Sequence, residues 1–510
     1  MKQFILSIII IIPISFLLGQ DCSETDFCFS TQEQVDSFSI FHPECDSVVG
    51  FIFIKDEVEN LDSLHRIQVI NGSLNIINCI NLQELNAFPN LKHVEGSLEI
   101  SENENLSSIE GFDSLNTING NLRLFANSKL ENLSAFQNLE RIKVALNITN
   151  NIQLEHINTF ENLVYTRNIA FTNQTNLQNL PSFNALDTID NFAFILDNES
   201  LTSLSGLDSV KYIWRLAVHR NDNLVDLTGL ENLRSIDNIE IRENANFQSI
   251  AGLEKIEYLR RLEARRNPSF HSFEGLNPDL KNLGVIYVRS SDSLIDCRGL
   301  EQMESIHGLL LEDNPNFSSF KGLEKLDSLR FLRLRRNENI TTLDSLMNLS
   351  YVKDIVFDSL LNLSQLDALT NIDYQSLEEI EITNCPLIES CAIESFCQYF
   401  ENGGAAILQN NGGNCNSEEE IIDKCQWVSN SNSIEEQIFS IYPNPTLGIL
   451  YFDHFYPMPF QLHVFNTFGE MLYSDVVNSN EVNLSFLPKG IYIIDCRNNY
   501  FKRTDRIIIH

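Results

Sequence analysis

Positive charge is scarce in this chain. Its 510 residues hold 35 Lys and Arg against 70 Asp and Glu, a formal charge of −35. So acidic a surface repels phosphate, which argues against nucleic acid as the general partner and leaves room only for a local basic patch. Catalytic signatures are missing too: there is no GxSxG, HExxH, phosphate-binding loop or dinucleotide-binding glycine motif. The ten His are scattered from His42 to His510. No CxxC pair or Cys/His knuckle is present, so no metal is expected. Carboxylates are abundant, but chance alone places pairs of them close together, and glycosidase-type pairing has no warrant. We expect no catalytic residue and no cofactor. After the first twenty residues no apolar run is long enough to span a membrane.

What is present begins with an export signal. Met1 to Gly19, MKQFILSIIIIIPISFLLG, has one Lys, an apolar run and a small residue at its end. A membrane anchor would need a longer run, and Asp21 before Cys22 argues against a lipoprotein. Export suits the 11 Cys, which point to disulfides. Cys22, Cys28 and Cys45 lie early, while Cys385, Cys391, Cys397, Cys415 and Cys425 cluster late. Clusters at both ends suit stapled caps. Pairs Cys391–Cys415 and Cys397–Cys425 are our expectation among connectivities that sequence alone leaves open.

Between those clusters one unit repeats. Val94–Ile118 reads VEGSLEISENENLSSIEGFDSLNTI, and Ile118–Ile142 reads INGNLRLFANSKLENLSAFQNLERI. Each has two apolar residues spaced by one (Leu98 and Ile100; Leu122 and Leu124), then an Asn (Asn103, Asn127), then apolar residues at every third position. Period two is a strand, and a step of three suits a tight 3₁₀-like or extended coil. One such unit buries too little to fold alone, so units must stack. Marking each by its first inward strand residue gives Ile52, Leu74, Leu98, Leu122, Leu146, Ile169, Ala193, Leu216, Ile239, Leu262, Ile286, Leu309, Leu332, Ile355, Ile380 and Ala406. That is about 16 turns with a mean period of about 23.6 residues. Five residues on, most turns carry an Asn able to bond the backbone of neighbouring coils. Six depart: Cys79, Gln174 and Cys385 follow an Asn one residue early, and Glu57, Ser291 and Leu360 fill the others. Gly in "GL" or "GF", such as Gly229, marks bends that need a small or positive-φ residue.

The recurring I-x-G-x-L-x-I…N…L-x-x-L-x-x-L pattern resembles the leucine-rich repeats, most of all the receptor L-domain type of bacterial surface proteins and growth-factor receptor ectodomains. The resemblance implies a mainly β, right-handed solenoid. We assign 20–45 as an N-terminal cap containing a short helix, 46–384 as the solenoid, 385–425 as a Cys-rich cap and 426–436 as a Ser/Asn linker. From 437 the texture becomes short alternating strands split by Gly, Pro and Asn, an all-β sandwich of immunoglobulin-like type. Tyr442-Pro443-Asn444-Pro445-Thr446 with Gly448, then Phe468-Gly469, then Gly490 and Tyr492, resemble the type-A C-terminal sorting domain of the type IX secretion system of Bacteroidota. This implies the type IX machinery as a partner, and a secreted or outer-membrane-surface location.

The outward strand positions vary between turns. They lie one before, one after and three after each marked residue. From Leu216 to Leu332 they include Arg215, His219, Arg242, Arg261, Arg265, Tyr287, Arg289, Phe331, Arg333 and Arg335, with Glu240, Glu263 and Glu312 interleaved. Arg recognises carboxylate and phosphate through paired N–H groups and stacks on aromatics. One reading is a binding or adhesion face for a glycan or protein, with an anionic ligand favoured by the Arg residues. The other is cross-strand Arg–Glu pairing that only solvates the sheet. A structural surface protein without a single ligand, and an enzyme with an unrecognised site, are the alternatives.

Overall fold

The computed structural model describes Cys22 and residues 26–425, 440–453, 459–479, 481–497 and 502–510. The expected leader, 1–19, and linker, 426–436, lie outside the described residues. The chain divides into two compact units, Met1–Glu418 and Glu419–His510.

The first unit is a parallel β-solenoid of about 17 turns, with a 21-stranded sheet along one face and a second sheet of four short strands, Glu84–Leu85, Ser108–Ile109, Asn132–Leu133 and His156–Ile157, in the early turns. The marked residues stack in register: Leu74 on Leu98 on Leu122 on Leu146, and later Leu216 on Ile239 on Leu262 on Ile286 on Leu309. These residues and those two later are buried, which is why a period of two inside a period of about 24 specifies this coil. The first strand comes earlier than the repeat pattern predicts. Phe27–Thr31 pairs in parallel with Ile52–Glu57, Phe27 opposite Ile52. The expected helix follows, Gln32–Phe41, with Thr31 as its N-cap and Gln34 Oε1 accepting the Ser30 N–H at 2.7 Å. A disulfide joins Cys22 to Cys45.

Each of the sixteen marked strands ends on a residue in the left-handed region, from Asp56 (φ 58°) to Asn410 (φ 56°). The ladder Asn comes next and sits in the core. Asn244 is typical. Its Oδ1 accepts the Asn221 N–H at 2.8 Å, and its Nδ2 donates to Val218 O at 2.9 Å and Arg242 O at 3.1 Å. The early Asn residues of the departing turns are not displaced ladder members. Asn78, Asn173 and Asn384 occupy the left-handed position (φ 54°, 54° and 57°), which Asn tolerates. Cys79, Gln174 and Cys385 keep their own N–H in the ladder, donating to Asn103, Asn198 and Asn411.

The bend on the far side is made in two ways. In early turns Phe88, Phe112, Phe136 and Phe160 take φ between 57° and 73° and stack ring on ring, 5.0–6.2 Å apart. From Gly206 to Gly322 a Gly one residue earlier takes φ of 100–112° instead. A Cβ on Gly229 would lie 2.2 Å from the Leu204 backbone carbon. The Gly229 N–H is held by Glu231, and Gly252 by Glu254 in the same way. Part of the chain's acidity therefore caps its own turns.

Near the far end lie helix Glu394–Glu401 and a strand Ala406–Gln409 that pairs with Glu379–Thr383. Cys391 and Cys415 are joined, as expected, and Cys397 and Cys425 are also disulfide-bonded. In the second unit, antiparallel sheets of three and four strands share a core that includes Leu450, Phe452, Leu462, Val464, Ile494 and Ile507.

Candidate functional site

The register places the Arg residues as the sequence implies. Residues 215, 238, 261 and 285 form one outward column; 217, 240, 263, 287 and 310 a second; 219, 242, 265, 289 and 312 a third. Parallel stacking brings each guanidinium beside carboxylates of the next strand, and most are taken up by them. Arg215 lies 2.6 Å and Arg242 3.0 Å from Glu240. Arg242, Arg261 and Arg265 converge on Glu263 at 2.5, 3.0 and 2.9 Å. Glu240 and Glu263 are only 4% and 3% exposed, so they act as buried counter-ions beneath a roof of Arg. Burial, helped by the Arg242 charge, holds the His219 imidazole below its ordinary range. Tyr287 donates to Glu312 at 2.7 Å beneath the Arg265 guanidinium, and burial pushes its hydroxyl up. Arg289 reaches Asp313 at 3.0 Å.

The Leu332 strand, Ser328–Arg335, differs. Arg333 stands 3.7 Å from Asp354 and Arg335 4.0 Å from Glu381, beyond hydrogen-bond distance. Their Nε atoms, like those of Arg215 and Arg265, are buried and have no hydrogen-bond partner among the described residues. Burial and then Glu379 raise the Asp354 carboxyl despite Arg333, as expected of a loose pair. The Phe331 ring lies under Arg330 at 5.2 Å and Arg333 at 5.5 Å, with His307 edge-on at 5.3 Å. Sequence reasoning named Phe331, Arg333 and Arg335 but missed Arg330 and His307, which lie two positions before the marked residue, in a column not counted as part of the face.

A second feature was not foreseen at all. Beside the Leu262 strand, Tyr258–Arg265, lies a cleft of about 710 Å³ lined among others by Tyr258, Arg260, Arg261, Lys281 and His307. Its signal was in the marked positions: Leu262 to Ile286 spans one residue more than the turns on either side. Among the described residues no group of three His, Cys, Asp or Glu is placed to hold a metal ion.

In the second unit the Tyr442–Gly448 motif gathers around the last strand, Lys502–Ile509. Asn444 donates to Arg506 O at 2.6 Å and accepts from the Ile508 N–H at 3.0 Å. The Thr446 N–H donates to Ile508 O at 2.8 Å. Gly490 pairs with Ile509, and the Tyr492 hydroxyl donates to Pro488 O at 2.6 Å. Gly448 sits at φ 107°, where a Cβ would lie 2.5 Å from Ser485 Cα.

Residues 440–510 match the family described as secretion system C-terminal sorting domain, and residues 44–110 match the receptor L domain. No curated protein matches the chain. Among solved structures, one titled "Crystal structure of TLR13-ssRNA13 complex" is similar at 12% identity over 71% of this chain and 85% of that one, with a TM-score of 0.23, too low to carry an argument. The C-terminal match is to the type IX sorting domain, so the chain is exported to the cell surface or released. No described helix is long and apolar enough to cross a membrane.

Proposed function

We propose that this exported repeat protein binds a ligand, or adheres, through the outward face of its solenoid, and that the contact is an anionic group seated on Arg330, Arg333 and Arg335. The observation that carries the reading is the contrast along one face. Arg242, Arg261 and Arg265 lie 2.5–3.0 Å from one buried carboxylate, whereas Arg333 and Arg335 stand 3.7 and 4.0 Å from Asp354 and Glu381. Guanidinium groups held this loosely are stabilised by an incoming carboxylate or sulfate at hydrogen-bond distance. For Arg215, Arg242, Arg261, Arg265 and Arg289 the distances favour the structural reading, cross-strand pairing that closes the sheet surface. Receptor L domains and solenoids of this kind are typically non-enzymatic, and we read this chain as a binder. The test is retention of the whole chain on immobilised polygalacturonate at low salt. The double substitution Arg333→Glu with Arg335→Glu should abolish retention and leave thermal unfolding nearly unchanged. Retention equal to the native chain's would refute the assignment.

A further inference from the structure

The sheet of the solenoid opens beside the strand Tyr258–Arg265, and the exposed Tyr258 ring lines the opening. Turns from Leu216 to Ile355 repeat every 23 residues apart from Leu262–Ile286, which takes 24. The extra residue falls at Asn277-Pro278-Asp279, between the inward Leu276 and Leu280. An earlier 24-residue turn, Ile169 to Ala193, absorbs its extra residue as a bulge inside the strand Thr188–Leu196. Here the strand does not absorb it. Arg261–Arg265 pair with Val285–Arg289, but Tyr258 and Leu259 pair only with the preceding strand, at Ser235 and Ile236. Neighbouring turns are closed by Glu257 N–H to Arg234 O at 2.7 Å and Glu304 N–H to Lys281 O at 2.9 Å. The corresponding bond from Lys281 to Glu257 is not made. The core shows through: Leu276, Leu280 and Leu283 keep 7%, 8% and 6% exposure, where Leu300, Met303 and Ile306 one turn later have 0%.

Tyr258 stands at the edge of this opening and is shared with a second recess of about 330 Å³, lined among others by Tyr212, Trp214 and Asp237. The three rings are 46%, 48% and 51% exposed for Tyr212, Trp214 and Tyr258, far more than packing requires. Tyr212 and Tyr258 lie in one column, two strands apart. Two strand spacings put them about 9.6 Å apart, close to the length of two linked pyranose rings. The charges around the rings are matched. Arg260 forks onto Asp237 at 2.7 and 2.6 Å, Lys281 pairs with Glu304, Arg234 with Glu257, and Arg261 gives one N–H to Glu263 at 3.0 Å.

We propose that the cleft and the recess together bind a neutral oligosaccharide, its rings stacked on Tyr258 and on Tyr212 or Trp214 and its hydroxyls bridging the Arg260–Asp237 pair. A pyranose has an apolar C–H face and a rim of hydroxyls, each both donor and acceptor. It therefore needs flat apolar platforms beside donors and acceptors in equal supply, and this flank offers both. An acidic saccharide would meet Asp237, Glu257 and Asp279 as often as the cations. Arg333 and Arg335 line neither cavity, although His307 touches both the cleft and the Phe331 ring, and the ligand expected here is uncharged rather than anionic.

The experiment is calorimetric titration of the whole chain with neutral hexasaccharides of glucose, mannose and xylose, and with polygalacturonate. At least one neutral member should bind. Tyr258→Ala should weaken it roughly tenfold, the worth of one ring contact, and Tyr258→Phe should bind like the native chain. Tyr351→Ala, an exposed ring of the same column that lines neither cavity, should leave binding unchanged. Failure of every neutral member, or full binding by Tyr258→Ala, overturns the proposal. Binding of polygalacturonate alone, lost on reversing Arg333 and Arg335, also overturns it while leaving the anionic reading in place.

Discussion

Replacing Ser291 with Asn should stabilise the solenoid. The ladder of buried Asn side chains is interrupted at Ser291, whose hydroxyl is buried without a partner. Ser291 donates its own N–H to Asn314 at 3.1 Å, but it is too short to serve the turn before it. Each regular member accepts the preceding ladder N–H, as Asn267 does for Asn244 at 3.0 Å, and donates to a strand carbonyl, as Asn267 does to Ile241 at 2.9 Å. The Asn267 N–H has no such acceptor among the described residues. An Asn at 291 would supply it and would offer its amide to the Ala264 carbonyl, the counterpart of Ile241. Two buried bonds at about 0.5–1.5 kcal/mol each give about 1–3 kcal/mol. Repeat arrays do not unfold as one unit, so a global midpoint would dilute the effect. The sensitive measurement is amide exchange at Asn267, which should slow by roughly 5- to 150-fold. Unchanged or faster exchange would mean that the ladder is packing filler rather than a hydrogen-bond relay.

Three further outcomes follow from single sites. Burial pushes the thiols of Cys79 and Cys496 up to about 12 and Cys385 up to about 11, and Cys297 is raised as well, whereas Cys28 is exposed. Iodoacetamide at mildly alkaline pH should therefore modify Cys28 alone in the native chain, and peptide mapping that finds any of the other four labelled would contradict the burial. The Arg336 side chain bonded to Asp313 holds that carboxyl below its usual range. A depressed folded value contributes stability that is present above the unfolded pKa and lost as pH falls through the folded one. Asp313→Asn should thus flatten the stability profile below about pH 4, and an unaltered acid limb would count against the pair. Asn444→Ala removes both bonds to the last strand of the sorting unit and should cost about 1–3 kcal/mol, read as faster exchange of the Ile508 amide and a smaller surface-exposed fraction.

The repeat is legible because its inward positions are nearly all aliphatic and its Asn recurs at a fixed offset, so strand columns can be counted from the sequence. The Phe27–Thr31 strand is not, since it lacks the Asn and sits among Cys and polar residues. The strand columns that carry the Arg residues follow from the repeat, but their charge balance depends on register. Arg242 reaches Glu263, 21 residues away, only because strands 23 residues apart lie side by side. The cleft was the hardest to foresee. One extra residue can become a strand bulge, as in Thr188–Leu196, or open the sheet, as at Asn277-Pro278-Asp279. Where the added residue enters decides the outcome, because an insertion between inward residues displaces the strand that follows.

The two kinds of bend bear on how such a chain lengthens. Phe112 needs a Phe above and below it, and Gly229 needs bare backbone on the turn before it. Each turn is thus keyed to the identity of its neighbour. A block copied next to itself meets matching surfaces and extends the coil. Phe183 stacks on Phe160 at 6.2 Å as the last ring before the Gly bends begin at Gly206, and the same block moved across that boundary would leave a ring without a mate, or drive a Cβ into a carbonyl. Growth by tandem duplication is therefore structurally cheap, while shuffling is not.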